Sequence, residues 1–308
     1  MKDQKIFVAG STGLVGSALV RTLTHQGFQN LLTPTRKDLD LTNRKEVFDW
    51  FNLNKPDVVF LAAARVGGIG ANSTYPAEFI SENLQIQVNT LDAAAHTRTS
   101  KLLFLGSSCI YPANAPQPMK EEYLLTGALE ETNHAYAMAK IAGIEQVKSI
   151  REQYGLHYIS VLPTNLYGPN DNFDLNTSHV IPAMIQKFHN AKVNGESTVE
   201  LWGDGSPLRE FMYVDDLAEA CIFLLDKYNS SEPINIGTGE EVSIQHLASL
   251  IQDTIGFKGE VIWNTDKPNG VKRKLLDNSL LQNLGFTPLT KLKDGLLKTY
   301  SWFSSQQT

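Results

Sequence analysis

The sequence predicts an α/β protein: a Rossmann-type, doubly wound parallel sheet with a smaller, interleaved α/β lobe. Three observations carry this. Short β-rich runs alternate with helix-length amphipathic segments through residues 1–165, and such alternation demands crossover connections and a parallel sheet covered on both faces. Gly10, Gly13 and Gly16 follow the first run directly and open a helix. After Tyr167-Gly168-Pro169-Asn170 the rhythm breaks, which marks the second lobe.

The first strand covers residues 5–9 and the first helix 14–24, with further strands at 30–33, 57–63, 101–105 and 158–162. Residues 1–165 are expected to bind a dinucleotide and 166–308 mainly a substrate. In the second part, 172–178 is polar and turn-prone, 181–191 reads as a helix and 198–202 as a strand. Segments near 211–240 are expected to return to the first unit, through a helix capped at Asp215-Asp216 and a strand at 234–237. Open α/β sheets hold ligands outside the carboxyl ends of their strands, which places the substrate between the two lobes.

With 308 residues, 42% hydrophobic and 19% charged, the chain can bury a large core. A net charge of -6 offers no basic field for nucleic acid. No run approaches the roughly 20 apolar residues that span a bilayer, and the apolar stretch 6–9 is too short for the core of a secretion signal. The expectation is a soluble cytoplasmic protein with no membrane partner. Cys109 and Cys221 are then read as two reduced thiols. No spaced Cys/His/acid cluster suggests a metal.

The chemistry gathers in four places. Gly10-Ser11-Thr12-Gly13-Leu14-Val15-Gly16 has the spacing that brings bare backbone and a helix amino end to a pyrophosphate. The second strand ends without an acid, and Arg36 beyond it can fork onto the 2′-phosphate of NADP, with Asp38 or Asp40 still able to reach the adenosine. Tyr136 and Lys140, four residues apart, share one helix face, where an ammonium favours the phenolate and makes the phenol usable near neutral pH. Ser107, at the end of the strand 101–105, can hydrogen-bond a substrate oxygen that gains charge. Cys109 reads equally as a small core filler or, beside Lys140 or a histidine, as a base. His179 precedes a helix at a cleft edge, where a structural role fits as well as a catalytic one.

With Arg65-Val66-Gly67-Gly68-Ile69, Gly106-Ser107-Ser108-Cys109-Ile110-Tyr111-Pro112, Tyr136 to Lys140, Asn176 to Pro182 with His179, Leu208-Arg209-Glu210-Phe211 and Arg273-Lys274-Leu275-Leu276-Asp277 in order, nearly the whole chain is covered. It resembles the extended short-chain dehydrogenases/reductases acting on nucleotide sugars, and within them the GDP-L-fucose synthase family. The resemblance implies conversion of GDP-4-keto-6-deoxy-D-mannose to GDP-L-fucose by C3 and C5 epimerisation and C4 reduction with NADPH. It implies Cys109 as base, His179 as acid, Ser107 and Tyr136 at the oxyanion, and Lys140 tuning the phenol. Asp40, Leu41, Leu105, Gly106, Ser108, Pro163, Asn165, Leu166, His179 and Lys140 would line NADP(H). Lys187, Trp202, Arg209, Asn269 and Lys274 would hold the GDP-sugar. A homodimer is implied as well, through a helix pair around Leu91 and Ile144.

Three departures stand out. Thr12 occupies a position where some members carry arginine beside the 2′-phosphate, so the preference for NADP rests on Arg36. Lys187 stands where arginine is familiar, and Asn269 where aspartate is. Two rival readings remain at this point, an NAD-recycling nucleotide-sugar 4-epimerase or 4,6-dehydratase and a non-catalytic dinucleotide sensor. The pairing of Cys109 with His179 opposes the first, and the retention of Ser107, Tyr136 and Lys140 opposes the second.

Overall fold

The structure, a computed structural model, describes residues 3–267 and 269–307. The first elements are β1 (Ile6–Ala9), α1 (Leu14–His25), β2 (Leu31–Leu32), α2 (Arg44–Asn54), β3 (Val58–Leu61), α3 (Ile69–Thr74), α4 (Pro76–His96), β4 (Lys101–Leu105), α5 (His134–Tyr154) and β5 (His157–Pro163). There follow β6 (Asn165–Tyr167), α6 (Val180–Asn194), β7 (Thr198–Trp202), β8 (Leu208–Tyr213), α7 (Val214–Lys227) and β9 (Ile234–Ile236). The chain ends with β10 (Glu241–Ser243), α8 (Ile244–Ile255), β11 (Glu260–Asn264), β12 (Arg273–Lys274), α9 (Ser279–Asn283) and α10 (Leu292–Ser305).

Six parallel strands form the main sheet in the order β2-β1-β3-β4-β5-β9. The order reverses between β1 and β3, and that switch point opens the crevice in which such sheets bind dinucleotides. Period-two side chains fill both faces. Val8, Phe60, Leu103 and Ile159 enter one core with Leu19 of α1 and Leu217 of α7. Phe7, Val59, Leu102 and Tyr158 enter the other with Phe51 of α2, Leu91 of α4 and Ile144 of α5. Continuous apolar strands therefore reflect burial on both sides, and each fully buried large side chain contributes about 1.5–3 kcal/mol.

A third core joins α6, α8 and α10 to β7, β8 and β11 through residues such as Phe188, Leu201, Phe211 and Leu247. Here β8 pairs with β6, β10 and β12, and β7 with β11. The chain crosses between the cores: α7 packs on α1, and β9 pairs with β5.

One expectation needs correction. Asp215 and Asp216 do not precede the helix as caps; α7 starts at Val214, so both lie in its first turn. There they favour the helix dipole, while Asp215 pairs with Arg21 at 2.5 Å and Asp216 accepts from the Thr290 amide and hydroxyl, each at 2.8 Å. Leu91 and Ile144 are themselves fully buried against the sheet, which leaves the outer faces of α4 and α5 for a second subunit. Among the described residues no helix is long and apolar enough to cross a membrane.

Candidate active site

The switch point is shaped by missing side chains. Gly10 has a φ of +81°, and a Cβ there would stand 2.8 Å from the Ala63 Cα. At Gly16 a Cβ would meet the Gly10 carbonyl oxygen at 2.0 Å, so α1 approaches β1 only because both residues are glycine. Gly13 caps α1 without a side-chain bond, and no acid lies in the first turn. The amide donors and positive helix end thus remain available to a pyrophosphate, and these residues fit a dinucleotide. Ser11 donates to the Thr33 carbonyl at 3.4 Å, Thr12 is exposed, and Leu14 and Val15 pack on the first core.

Around the outer edge of this cradle, the Arg36 side chain is 78% exposed, with its guanidinium 3.9 Å from Glu82. Glu82 also pairs with Arg65 at 2.5 Å. Asp40 is engaged locally: its carboxylate accepts from the Thr42 hydroxyl and amide at 2.8 and 3.0 Å, and those bonds hold it below the usual carboxylate range. Leu41 packs on the second core, and its carbonyl accepts from Asn89.

The reactive groups collect beyond β4. Leu105 ends that strand, the Gly106 amide donates to the Val161 carbonyl at 2.8 Å, and buried Ser108 lies in a single 3-10 turn, 108–110. Ser107 caps this turn by accepting from the Cys109 amide at 3.2 Å. The Lys274 ammonium donates to the Cys109 sulfur at 3.2 Å. Burial alone would push the thiol up; the Lys274 charge and hydrogen bonds with Ser107 and Lys274 outweigh it, against opposition from Glu130, and hold the thiol below its ordinary value.

Tyr136 and Lys140 occupy the first turns of α5. The Lys140 ammonium donates to the Leu105 carbonyl at 2.7 Å and lies 5.9 Å from the Tyr136 ring centroid. Burial draws its pKa down to about 7. The Tyr136 phenol moves up, first by burial and then by the Cys109 charge, while its hydrogen bond with Ser107 pulls the other way. The expected lowering by Lys140 is absent, and Tyr136 stands as a protonated phenol able to give a proton.

His179 caps α6 with extended backbone. Its ring is reachable by water yet walled by protein, and burial, followed by the Lys274 charge, holds it below its ordinary value. Arg209 pairs in register with Lys274 across β8 and β12 and feels the Cys109 charge. The structure thus brings Ser107, Cys109, Tyr136, Lys140, His179, Arg209 and Lys274 together. Two placements differ from expectation: the cation at the thiol is Lys274 rather than Lys140 or a histidine, and Lys274 faces sulfur where a GDP contact was expected.

The remaining residues lie further out. Lys187 donates to the Glu200 carbonyl at 2.9 Å, Trp202 is 59% exposed, and Asn269 accepts from the Asp204 amide at 2.8 Å. Pro163 ends β5, Leu166 packs on the first core, and Asn165 donates to the Glu210 carbonyl at 2.8 Å. Glu130, whose charge reaches Cys109, and Lys267, 5.5 Å from the Trp202 ring centroid, were missed. Neither sits in a motif or at a helical spacing that would single it out.

A model of the NAD dependent epimerase/dehydratase family matches residues 6–237. The chain belongs to that family. It is similar to GDP-L-fucose synthase 1 of Arabidopsis thaliana, 57% identical over 302 residues that cover 98% of this chain and 94% of the relative. GDP-L-fucose synthase of Escherichia coli (strain K12) is 47% identical over 316 residues, covering 100% of this chain and 98% of the relative. Among solved structures, a GDP-L-fucose synthetase from Naegleria fowleri bound to NADP superposes with a TM-score of 0.94 at 30% identity, covering 100% of this chain and 94% of that one. This family relation carries the fold from β1 through β9, the span that holds the glycine cradle, Cys109, Tyr136, Lys140, His179 and Arg209.

Proposed function

We infer that the chain converts GDP-4-keto-6-deoxy-D-mannose to GDP-L-fucose, by epimerising C3 and C5 and then reducing C4 with NADPH. The relatives support the overall reaction. The observation that carries the residue roles is the contact of Lys274 with Cys109 beside Tyr136 and His179.

The C4 ketone acidifies both neighbouring C–H bonds. The Cys109 thiolate, favoured by Lys274, takes the proton from one face and becomes a thiol. The enolate oxygen receives hydrogen bonds from Ser107 and Tyr136, and His179 returns a proton to the carbon from the other face. At rest His179 is neutral near pH 7; a bound diphosphate or enolate offsets the Lys274 charge and raises its proton affinity. The hydride for C4 comes from NADPH when it is bound. Tyr136 gives its phenolic proton to O4, and Lys140 stabilises the phenolate left behind.

Residues 1–165 would hold NADPH and 166–308 mainly the GDP-sugar, with Lys187, Trp202, Arg209 and Asn269 on the nucleotide. A cytoplasmic homodimer completes this reading. The decisive experiment incubates purified protein with GDP-4-keto-6-deoxy-D-mannose and NADPH in heavy water. Deuterium at C3 and C5 of GDP-L-fucose, with NADPH consumed, is expected. NADPH consumption without deuterium would leave a plain ketoreductase.

A further inference from the structure

The Glu210 side chain has no exposed surface, and among the described residues no cation is bonded to its carboxyl group. A buried carboxylate persists only where donors replace its lost water. One oxygen accepts from the Gly239 amide at 2.7 Å, Asn278 at 3.3 Å and the Thr238 hydroxyl at 3.5 Å; the other accepts from the Leu276 amide at 3.1 Å. A Cβ at Gly237 would stand 2.3 Å from this carboxylate, so the chain is pared down to admit it. Three of the four donors belong to neutral backbone or hydroxyl groups of segments flanking the cleft.

The same segment is gripped from its other side. Gln117 accepts from the Leu275 amide at 2.8 Å, and the Met119 amide donates to the Leu275 carbonyl at 2.8 Å. Leu275 and Leu276 directly follow Lys274, whose ammonium reaches the Cys109 sulfur at 3.2 Å. The strand that carries the lysine, β12, is only two residues long; the Arg273–Glu241 ion pair at 2.7 Å holds it on one side of Lys274, and these grips hold it on the other.

We propose that Glu210 and Gln117 are positioning residues that clamp residues 274–276 from two sides and hold the Lys274 ammonium on Cys109. The proposal rests on the reading of Cys109 as the base and deepens it. Neither side chain needs to touch substrate or cofactor. Their effect on catalysis passes through the placement of one charge.

The test reads the sulfur without turnover. The rate of Cys109 carbamidomethylation by iodoacetamide, followed by intact mass, is measured against pH for the native protein, Glu210→Gln, Gln117→Ala and Lys274→Met. Besides Lys274, the groups acting on this thiol are Ser107, Glu130, Tyr136 and Arg209, and all four are kept in every variant. Loss of Lys274 should move the midpoint upward by about one pH unit or more. Glu210→Gln is expected to move it in the same direction, because an amide cannot accept from every one of these donors, and adding Lys274→Met should then shift it no further. If Glu210→Gln does not fold, Gln117→Ala decides, since it frees the same segment from outside the buried carboxylate. A folded variant with the native midpoint would overturn the clamp. Deuterium exchange at C3 and C5 in Cys109→Ser tests the base assignment separately, so the two ideas fail by different results.

Discussion

The Cys109 cleft and the Trp202 rim use similar residue types in opposite ways. In the cleft the groups nearest the sulfur are already tied to one another: Lys274 to the Cys109 sulfur, Lys140 to the Leu105 carbonyl, Ser107 to the Cys109 amide. On the rim, Trp202 is mostly exposed and the neighbouring cation, Lys267, lies over its ring with no carboxylate pairing them. Charge stabilisation at a reacting atom demands dipoles fixed in advance. Nucleotide recognition tolerates side chains that settle when the ligand arrives. The cleft is thus set in advance, whereas the rim leaves an indole face and an ammonium open to solvent.

That contrast is broken most severely at sulfur. Cys109→Ser replaces a thiol held below its ordinary value by an alcohol, and C3 and C5 exchange should fall by about 10²–10⁴-fold. NADPH affinity, read by fluorescence titration, should stay unchanged, because the glycine cradle is untouched. Retention of native exchange would remove Cys109 as the base. Tyr136→Phe should cost roughly 10²-fold in C4 reduction, with deuterium still entering C3 and C5 and the epimerised ketone accumulating. Loss of both activities in equal measure would mean that the phenol acts mainly by stabilising O4 of the enolate, rather than by protonating O4 during reduction.

How far the sequence disclosed these two regions depends on the range of the interactions. The strand 101–105 and the glycine cradle were legible because period-two burial and a strand–glycine–helix order are local patterns. The Tyr136–Lys140 face was legible for the same reason, since four residues make one helical turn. Lys274 on Cys109 was not: 165 residues separate them, and they meet through long-range contacts alone, the pairing of β12 with β8 and the bonds of residues 275–276 to Gln117 and Glu210. A surface phosphate contact was the natural reading of such a lysine. The burial of Leu91 and Ile144 against the sheet was not legible, because an apolar helix stripe looks alike whether it meets a sheet or a second subunit. The phenol of Tyr136 was misjudged because spacing reveals a nearby cation but not the depth of burial opposing it.

Lys140 offers a stability test of that burial. Its folded pKa of about 7 lies below its ordinary value of 10.5. Between those values the unfolded chain binds more protons than the folded one, so stability should rise with pH across this window. Below about pH 7 the folded protein must bury a charge, at a cost on the order of a few kcal/mol. Lys140→Met keeps the apolar stem and removes the charge. Urea unfolding of the protein without cofactor at pH 7 and pH 9.5 should show a smaller rise for the variant; an identical rise would place the proton-linked term on another group.

The smallest expected effect lies at the exposed edge of the cradle, where Arg36 must act with little support. Its guanidinium is largely solvated and has Glu82 at 3.9 Å, a carboxylate already held by Arg65. Thr12 adds no charge. A solvated cation gains little from one phosphate in water, so Arg36→Ala should weaken NADPH roughly two- to five-fold relative to NADH. The loss should shrink as salt rises, because screening acts on exposed charges first. Titration of both cofactors at 20 and 300 mM salt checks this. Equal losses for NADPH and NADH would take Arg36 away from the 2′-phosphate, whereas a loss insensitive to salt would show that cofactor binding draws the arginine into a buried fork, making this edge behave like the cleft.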